Sequence, residues 1–402
     1  MRIIHVMDHS LPKSSGYTIR AKYLLEAQAA SGNEVTVLTS PSQGTDAKDE
    51  HIGGIRYCRT HYSSWESSLV AKGAKHLIFG RSISRALSGL LDQGQFDVVH
   101  AHTPFHIARV AQREARRRKL PFIYEKRNLW EESARARGKA VGRWPLYDIS
   151  RAVDRWVTVR ANAVCTITQA LKNHTVALGA NPEKVFVVGN GVDTSIFFPQ
   201  AAPAELREKC AAGGNCVIGF IGSFFSYEGL PFLVETFARL VKKYPTARLV
   251  LVGDGEDTRR LDQLVPQLNL SEHVWLVGKV PHNQVADFCA AMDVLVYPRL
   301  HSELTDMISP LKPLEPMAMA KCVLGSDVGG IRELLDNGHA GLLFKAGDSA
   351  DLEKTLDSIL SGAVNISEMG QKARAHVSEK RQWSQMARVY DDAYRYAREH
   401  MA

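Results

Sequence analysis

The run Asn190-Gly191-Val192-Asp193, a loop through Pro199 and Pro203, and then Cys216-Val217-Ile218-Gly219-Phe220-Ile221 decides the fold. Before it, short β-branched runs alternate with longer amphipathic stretches, and after it the same alternation starts again. The turn-rich segment 189–204 therefore reads as a linker. The first series predicts strands at 3–7, 34–38, 98–101, 122–125, 163–168 and 185–188; the second predicts them at 216–221, 248–252, 274–277, 294–297, 322–325 and 341–344. Strands separated by helical patterns such as 18–30 build parallel sheets with helical crossovers. The expectation is an α/β chain of two doubly wound domains, 1–190 and 204–380, facing a central cleft. The last helical pattern, at about 383–402, is a candidate to pack back on the first domain. Ligands of such folds bind at the carboxyl ends of the strands.

The chain has 402 residues, 45% hydrophobic and 23% charged, with 30 Gly and 16 Pro, which excludes a disordered, collagen-like or disulfide-scaffold protein. Six cysteines show no C-x-x-C pair and no accompanying zinc-spaced histidines, so they read as buried thiols. The apolar run at the start is broken by Asp8 and His9, too early for a signal peptide, and no stretch nears the roughly 20 apolar residues that span a bilayer. A cytoplasmic protein is expected. The net charge of +7 is uneven: residues 1–200 carry +11 and residues 201–402 carry −4. The first half is thus expected to meet something anionic, such as a phosphorylated substrate, a nucleic acid or a membrane surface.

No G-x-x-x-x-G-K-[ST], H-E-x-x-H or G-x-S-x-G motif is present. Gly253-Asp254-Gly255-Glu256 lacks the third glycine of the dinucleotide fingerprint, which argues against a nicotinamide cofactor. Its acids suit a helix N-terminus better than a metal. The informative stretch is Ser309-Pro310-Leu311-Lys312-Pro313-Leu314-Glu315-Pro316-Met317-Ala318-Met319-Ala320. Pro310 and Pro313 suit the first turn of a helix, where free N–H groups around Leu311 and Lys312 would face an anion. Lys312 adds a positive charge, and Glu315 offers two acceptors for the hydroxyls of a ribose. A capped helix carrying a surface Lys and Glu is the alternative.

Asp293-Val294-Leu295-Val296-Tyr297-Pro298, Glu315-Pro316-Met317-Ala318-Met319-Ala320-Lys321 and Ser326-Asp327-Val328-Gly329-Gly330-Ile331-Arg332-Glu333-Leu334 together resemble the nucleotide-sugar domain of family-4 retaining glycosyltransferases. Val252-Gly253-Asp254-Gly255, Val277-Gly278-Lys279-Val280-Pro281, Asn190-Gly191-Val192-Asp193 and, in the first half, Val99-His100-Ala101-His102 match in the same order. The resemblance implies a GT-B fold, with the donor held mainly by the second domain and the acceptor by the first. Glu315 would hold the ribose, the amides near Ser309, Pro310, Leu311 and Lys312 the diphosphate, and Lys279, Val280 and Pro281 the base. Gly16 would let the backbone approach the diphosphate, an ordinary turn glycine being the alternative.

Three departures from the family pattern stand out. The glutamate expected eight residues before Glu315 is Met307, with Asp306 the nearest substitute; the diphosphate-binding Arg and Lys are Ser223 and Glu228, near Tyr227; and the histidine after the strand at 121–124 is replaced within Tyr124-Glu125-Lys126-Arg127-Asn128-Leu129-Trp130-Glu131. Asp-His-Ser near the N-terminus, Tyr-Glu-x-Arg-x-x-Trp-Glu, Gly-Ser-Phe-x-x-Tyr-Glu-Gly and Pro-Leu-Lys-Pro-Leu-Glu resemble the exosortase and exopolysaccharide-associated branch.

The implied activity is retaining transfer of a sugar from a UDP or GDP donor to a hydroxyl of a glycan or lipid-linked acceptor. The leaving diphosphate would be neutralised by Lys312, helix N–H groups and Arg127, with no metal, because no Asp-x-Asp pair ends a strand. Glu125, Arg127 and Glu131 are candidates to orient acceptor or sugar, an internal Arg–Glu ion pair being the alternative, and His102 is a candidate sugar or acceptor contact, core or rim packing being its alternative. The basic run Arg109, Arg113, Arg116, Arg117, Arg118 and Lys119, with Lys72, Lys75, Arg81 and Arg85 on the apolar stretch 69–91, is a candidate contact with an anionic membrane at the inner face of the cytoplasmic membrane. A solvated helix face is its alternative. An epimerase or sugar phosphorylase of the same fold, a non-catalytic nucleotide-sugar binder and a nucleic-acid-binding protein are the competing functions. Nucleic acid is disfavoured because stacking aromatics do not interleave the basic residues.

Overall fold

The computed structural model describes residues 1–13, 15–44, 49–61, 75–136 and 143–401, which form two compact units, Met1–Asn190 with Trp383–Ala402 and Gly191–Gln382. The first unit holds β1 (Arg2–Met7), β2 (Glu34–Thr39), β3 (Glu50–Ile52), β4 (Ile55–Arg59), β5 (Val98–His102), β6 (Phe122–Lys126), β7 (Ala163–Thr166) and β8 (Val185–Val187). They form one sheet in the order β3-β4-β2-β1-β5-β6-β7-β8, parallel except for the antiparallel pair β3–β4. Sequence periodicity misses that pair because both strands are short. Gly53 and Gly54, at φ +58° and +80°, are the two-residue hairpin signal that finds it.

Ile3, Ile4, Val6 and Met7 of β1 are all fully buried, as a parallel strand covered by helices on both faces requires. The C-terminal helix Trp383–Glu399 buries Trp383, Ala387, Tyr390, Tyr394 and Ala397, spaced three to four residues apart, against helix Gly16–Ala30 and strands β6 to β8 of the first unit.

The second unit holds β9 (Cys216–Ile221), β10 (Ala247–Val252), β11 (Val274–Gly278), β12 (Val294–Tyr297), β13 (Cys322–Ser326) and β14 (Leu342–Phe344), all parallel, in the order β11-β10-β9-β12-β13-β14. Among the parallel strands of each sheet chain order reverses once, between β1 and β5 and between β9 and β12. In each unit, taken by itself, the loops that leave those strands, at Asp8 and Thr103 in the first and at Gly222 and Pro298 in the second, flank the place where a sheet of this kind binds ligands.

Candidate active site

At the switch point of the second unit, three charges from three segments meet. Glu228 follows β9, Arg299 follows β12, and Lys312 precedes the short helix Leu314–Ala318. Lys312 Nζ lies 2.9 Å from Glu228 Oε1, and Arg299 Nη2 donates to the same oxygen at 3.1 Å. Arg299 Nη1 also donates to the Ile308 carbonyl at 2.9 Å, while Lys312 Nζ donates to the Ser223 carbonyl at 3.2 Å and stands 5.0 Å over the Phe220 ring. Glu228 is 1% exposed and Lys312 keeps 21% of its side chain open, so the lysine is the member that reaches solvent. Burial alone would raise the Glu228 pKa, but Arg299 and Lys312 outweigh it and hold the carboxyl at about 2. Burial lowers the pKa of Lys312, against the pull of Glu228.

The lysine fits because Gly222 has no side chain. A Cβ there would come within 2.4 Å of Lys312 Cε, and its φ of +149° disfavours an L residue as well. The next loop closes on the same point: a Cβ on Gly253 would sit 1.8 Å from the Gly222 carbonyl oxygen. Glu315 lies at the start of helix Leu314–Ala318 without an ion-pair partner among the described residues, and burial pushes it up to about 8.

The diphosphate segment differs in detail from the sequence expectation. The helix begins at Leu314, with Pro313 as its cap, so Pro310 and Pro313 precede the first turn rather than occupy it. Among the described residues, neither the Leu311 nor the Lys312 N–H donates to a backbone carbonyl. Ser309 and Pro310 are buried, and Ser223 is exposed. Tyr227 stacks on Phe225 with centroids 5.4 Å apart and carries Arg299 over its ring at 5.5 Å. Lys279 and Pro281 are exposed past β11, while Val280 packs against the core. Asp306 is a correction: its Oδ1 accepts the Gly329 N–H at 2.9 Å and its Oδ2 lies 2.8 Å from His301 Nε2. It ties helix Glu303–Met307 to the first residue of helix Gly329–Leu334, so one of its two oxygens is engaged within the fold. Sequence reasoning misses Arg299, although its place just after a strand end is a usable signal.

In the first unit, Glu125 is fully buried and fully engaged. Arg20 Nη2 and Arg127 Nε donate to its Oε1 at 3.1 and 2.9 Å; Tyr390 Oη donates to its Oε2 at 2.6 Å; and His100 Nε2 and His102 Nδ1 lie 3.1 and 3.2 Å from Oε2, the first off the hydrogen-bonding direction. This is the internal ion pair of the alternative reading, and it corrects Glu125 from a substrate-orienting residue to a positioning one. Burial opposes its ionisation, but Arg127 and the two histidines hold its carboxyl well below the usual range.

His102 is 1% exposed and bonds Arg127 Nη2 at 2.6 Å and His5 at 2.9 Å, so it too is internal. Burial lowers the pKa of His5, His100 and His102 below the ordinary histidine value. These three rings are the one cluster of metal-ligating donors among the described residues. His5 Nδ1 and His102 Nε2, hydrogen-bonded at 2.9 Å, stand closer than the ~3.4 Å that two tetrahedral ligands at ~2.1 Å from an ion would keep.

Arg127 is 6% exposed; its Nη1 donates to the Tyr17 carbonyl at 3.1 Å and its guanidinium lies 4.9 Å from the Tyr17 ring. Tyr17, Asp8, His9, Thr103, Asn128 and Trp130 line a cavity of about 340 Å³ at the carboxyl ends of β1, β5 and β6. Asp8 is held at about 2 despite its burial, by His9 Nδ1 at 3.0 Å and by the hydroxyls of Ser40 and Ser42. Gly16 is exposed at the first position of its helix, behind the Ser15–Thr18 capping box. A larger cavity of about 440 Å³, beside Arg2, Glu34 and Arg56, opens at the amino ends of β1, β2 and β4, the end of the sheet where ligands of this fold class do not bind.

The expected membrane contact is corrected in part. Lys72 and residues 69–74 lie outside the described residues. Ile78, Phe79, Ile83, Leu87 and Leu91 of that stretch are buried in the core and unavailable to lipid, and the side chains of Lys75 and Leu77 lie outside the described residues. Arg118 is tied to Asp92 and Glu114, whereas Arg109, Arg113, Arg116, Arg117 and Lys119 are exposed. No described helix is long and apolar enough to cross a membrane.

Comparison with known proteins agrees with this fold. The family model described as Glycosyltransferase Family 4 matches residues 14–196, and that described as Glycosyl transferases group 1 matches residues 215–362. EpsD of Bacillus subtilis (strain 168), which carries a glycosyltransferase designation, is 27% identical over 321 residues, 77% of this chain and 80% of its own. Alpha-maltose-1-phosphate synthase of Mycolicibacterium smegmatis is 27% identical over 266 residues, 62% of this chain and 67% of its own. Among solved structures, sucrose-phosphate synthase from Thermosynechococcus elongatus superposes with a TM-score of 0.77 at 19% identity over 98% of each chain. Anabaena HepE in complex with UDP-glucose does so with a TM-score of 0.74 at 16% identity, over 97% of this chain and 98% of its own. Two parallel-sheet units of this topology, matched in turn by the two family models, make the chain a member of the family-4 glycosyltransferases of the GT-B fold.

Proposed function

We propose that the chain transfers a sugar from a UDP or GDP donor to a hydroxyl of a glycan or lipid-linked acceptor in the synthesis of a bacterial exopolysaccharide, with retention at the anomeric carbon. The observation that carries this reading is Lys312, seated against Gly222 at the switch point and reaching solvent beside Ser223. As the bond from the anomeric carbon to the donor's diphosphate oxygen breaks, negative charge grows on the leaving diphosphate. A preorganised ammonium stabilises that charge more in the transition state than in the ground state. The acceptor oxygen forms the new bond to the anomeric carbon, and its proton leaves with the departing diphosphate. Glu315 holds the ribose hydroxyls, and the exposed rim at Lys279 and Pro281 meets the base. The cation and the helix-edge amides act here without a metal. The UDP-glucose bound by HepE supports a uridine donor for this fold.

The test is release of free UDP or GDP from a panel of sugar nucleotides, with and without saccharide acceptors. Release that depends on an acceptor is expected. If no donor yields release and neither UDP nor GDP raises the melting temperature, the reading fails.

A further inference from the structure

We infer that the outer face of helix Leu146–Arg160 is a docking surface for an anionic phospholipid bilayer. The helix is amphipathic in the reverse of the usual sense. Its inward face carries Ser150, Asp154 and Thr158 as well as Val157, and Asp154 accepts from Tyr124 Oη and Lys126 Nζ, each at 2.6 Å. Its outward face carries Ile149, Ala152, Trp156 and Val159, spaced i, i+3, i+7 and i+10, which is one stripe along a helix of 3.6 residues per turn. Ile149 is 56% exposed, Trp156 41% and Val159 36%; ahead of them Trp144 is 83% and Leu146 47% exposed. Single exposed apolar residues are ordinary, but five large ones on one helix and its lead-in form a patch that needs a partner.

The charges around the stripe name that partner. Exposed Arg151, Arg155 and Arg160 flank it on the same helix, where Asp148 is the one exposed acid. The adjoining helix Phe105–Arg117 adds Arg109, Arg113 and Arg116, and the guanidinium groups of Arg109 and Arg160 lie 5.8 and 4.8 Å from the Trp156 ring. Arginines rimming tryptophan and aliphatic side chains suit the boundary between anionic headgroups and acyl chains. Nucleic acid would use the arginines and tryptophans but would gain nothing from Ile149, Leu146 and Val159. The surface also leads to the cavity at the carboxyl ends of β1, β5 and β6. Tyr147 bonds Glu132 of helix Trp130–Ala136, and Phe105 meets Trp130 of the cavity wall edge-on at 5.6 Å. An acceptor anchored in the bilayer would be presented beside that wall, a purpose that rests on the reaction proposed above.

Flotation of the full chain with vesicles of phosphatidylcholine alone, and of equal parts phosphatidylcholine and phosphatidylglycerol, tests the surface at about 0.1 M and 0.5 M salt. Binding to the anionic vesicles at low salt is expected, at least tenfold weaker with neutral vesicles or at high salt. Arg109→Glu with Arg113→Glu, and separately Ile149→Glu with Trp156→Glu, should each lower partitioning at least tenfold, since one basic side chain near the surface accounts for about fivefold. All four side chains point outward, and an unchanged nucleotide-induced melting shift checks that the variants fold. Unaltered binding by the variants, equal binding to neutral vesicles, or no binding at all overturns the proposal. So does a dimer that Ile149→Glu dissolves, or displacement from vesicles by nucleic acid at lower concentration than by salt. Turnover on a soluble acceptor, measured in the same preparation without vesicles, separates the two readings: turnover without vesicle binding overturns only the surface, and vesicle binding without turnover overturns only the reaction.

Discussion

Changing Glu228 to glutamine preserves its shape and removes the negative charge that Lys312 and Arg299 share. The carboxyl titrates at about 2 in the folded chain, against roughly 4.3 for an unperturbed glutamate, a depression of about two units, or ~3 kcal/mol. Because the folded pKa is the lower one, this stability is present above about pH 4.3 and is lost as pH falls through 2. At pH 7 the variant therefore forgoes about 3 kcal/mol, in line with the roughly 3–5 kcal/mol for breaking a buried pair. For a unit the size of Gly191–Gln382 that lowers the melting temperature by about 6–12 °C. A bound nucleoside diphosphate brings its own negative charge to the two cations. Saturating UDP or GDP should therefore raise the melting temperature of the variant more than that of the wild type. Thermal melts at pH 7 with and without nucleotide measure both effects. A variant that melts within about 2 °C of wild type, or gains less from nucleotide, would refute the reasoning, because Glu228 would then not be the counter-charge that the diphosphate replaces.

Lys312→Ala should reduce turnover by about 10²–10³ with little change in the KM for the acceptor, the loss typical of one transition-state donor, and near wild-type turnover would remove Lys312 from the mechanism. Glu315, held at about 8, must lose its proton to offer both oxygens to a ribose, so nucleotide affinity should rise from pH 7 through 8 and level off near about pH 9. Calorimetry on wild type and Glu315→Gln checks this: the variant should be flat over that interval, and a flat wild-type profile would sink the idea. Turnover should survive EDTA; loss that Mg²⁺ restores would show that cationic side chains do not suffice.

The sheets were legible because their central strands are buried on both faces and so appear as unbroken β-branched runs. Cys216–Ile221 and Val294–Tyr297 follow the sequence reading to the residue. The hairpin β3–β4 was not, since three and five residues carry too little periodicity to stand above the background. At the site, what one segment dictates could be read: Lys312 and Glu315 stand in one short run, and the segment that carries them comes to the switch point. What two distant segments dictate could not. Glu228 pairs with Arg299 across 71 positions and Glu125 with Arg20 across 105, and no local pattern says that these carboxylates are buried. Asp306 shows the same limit from the other side. It is the nearest acid to the position where the family resemblance expects a glutamate, and no local pattern says that one of its oxygens accepts the Gly329 N–H.

The +11 of the first half illustrates why a count of charges identifies a partner only after burial is known. Arg20 and Arg127 are directed inward to Glu125, and Lys126 to Asp154, so none of the three contributes an exposed charge. Had the buried cations accounted for the excess, the charge would have been a property of the core. Among the described residues, seven exposed arginines stand on helices Phe105–Arg117 and Leu146–Arg160, namely Arg109, Arg113, Arg116, Arg117, Arg151, Arg155 and Arg160. On the second of these, the buried need for Asp154 turned the polar residues inward and left Ile149, Trp156 and Val159 outside. Arginines on a polar outer face would require nothing more than water. Arginines around an outward apolar stripe require a partner that is anionic at its surface and hydrocarbon just beneath.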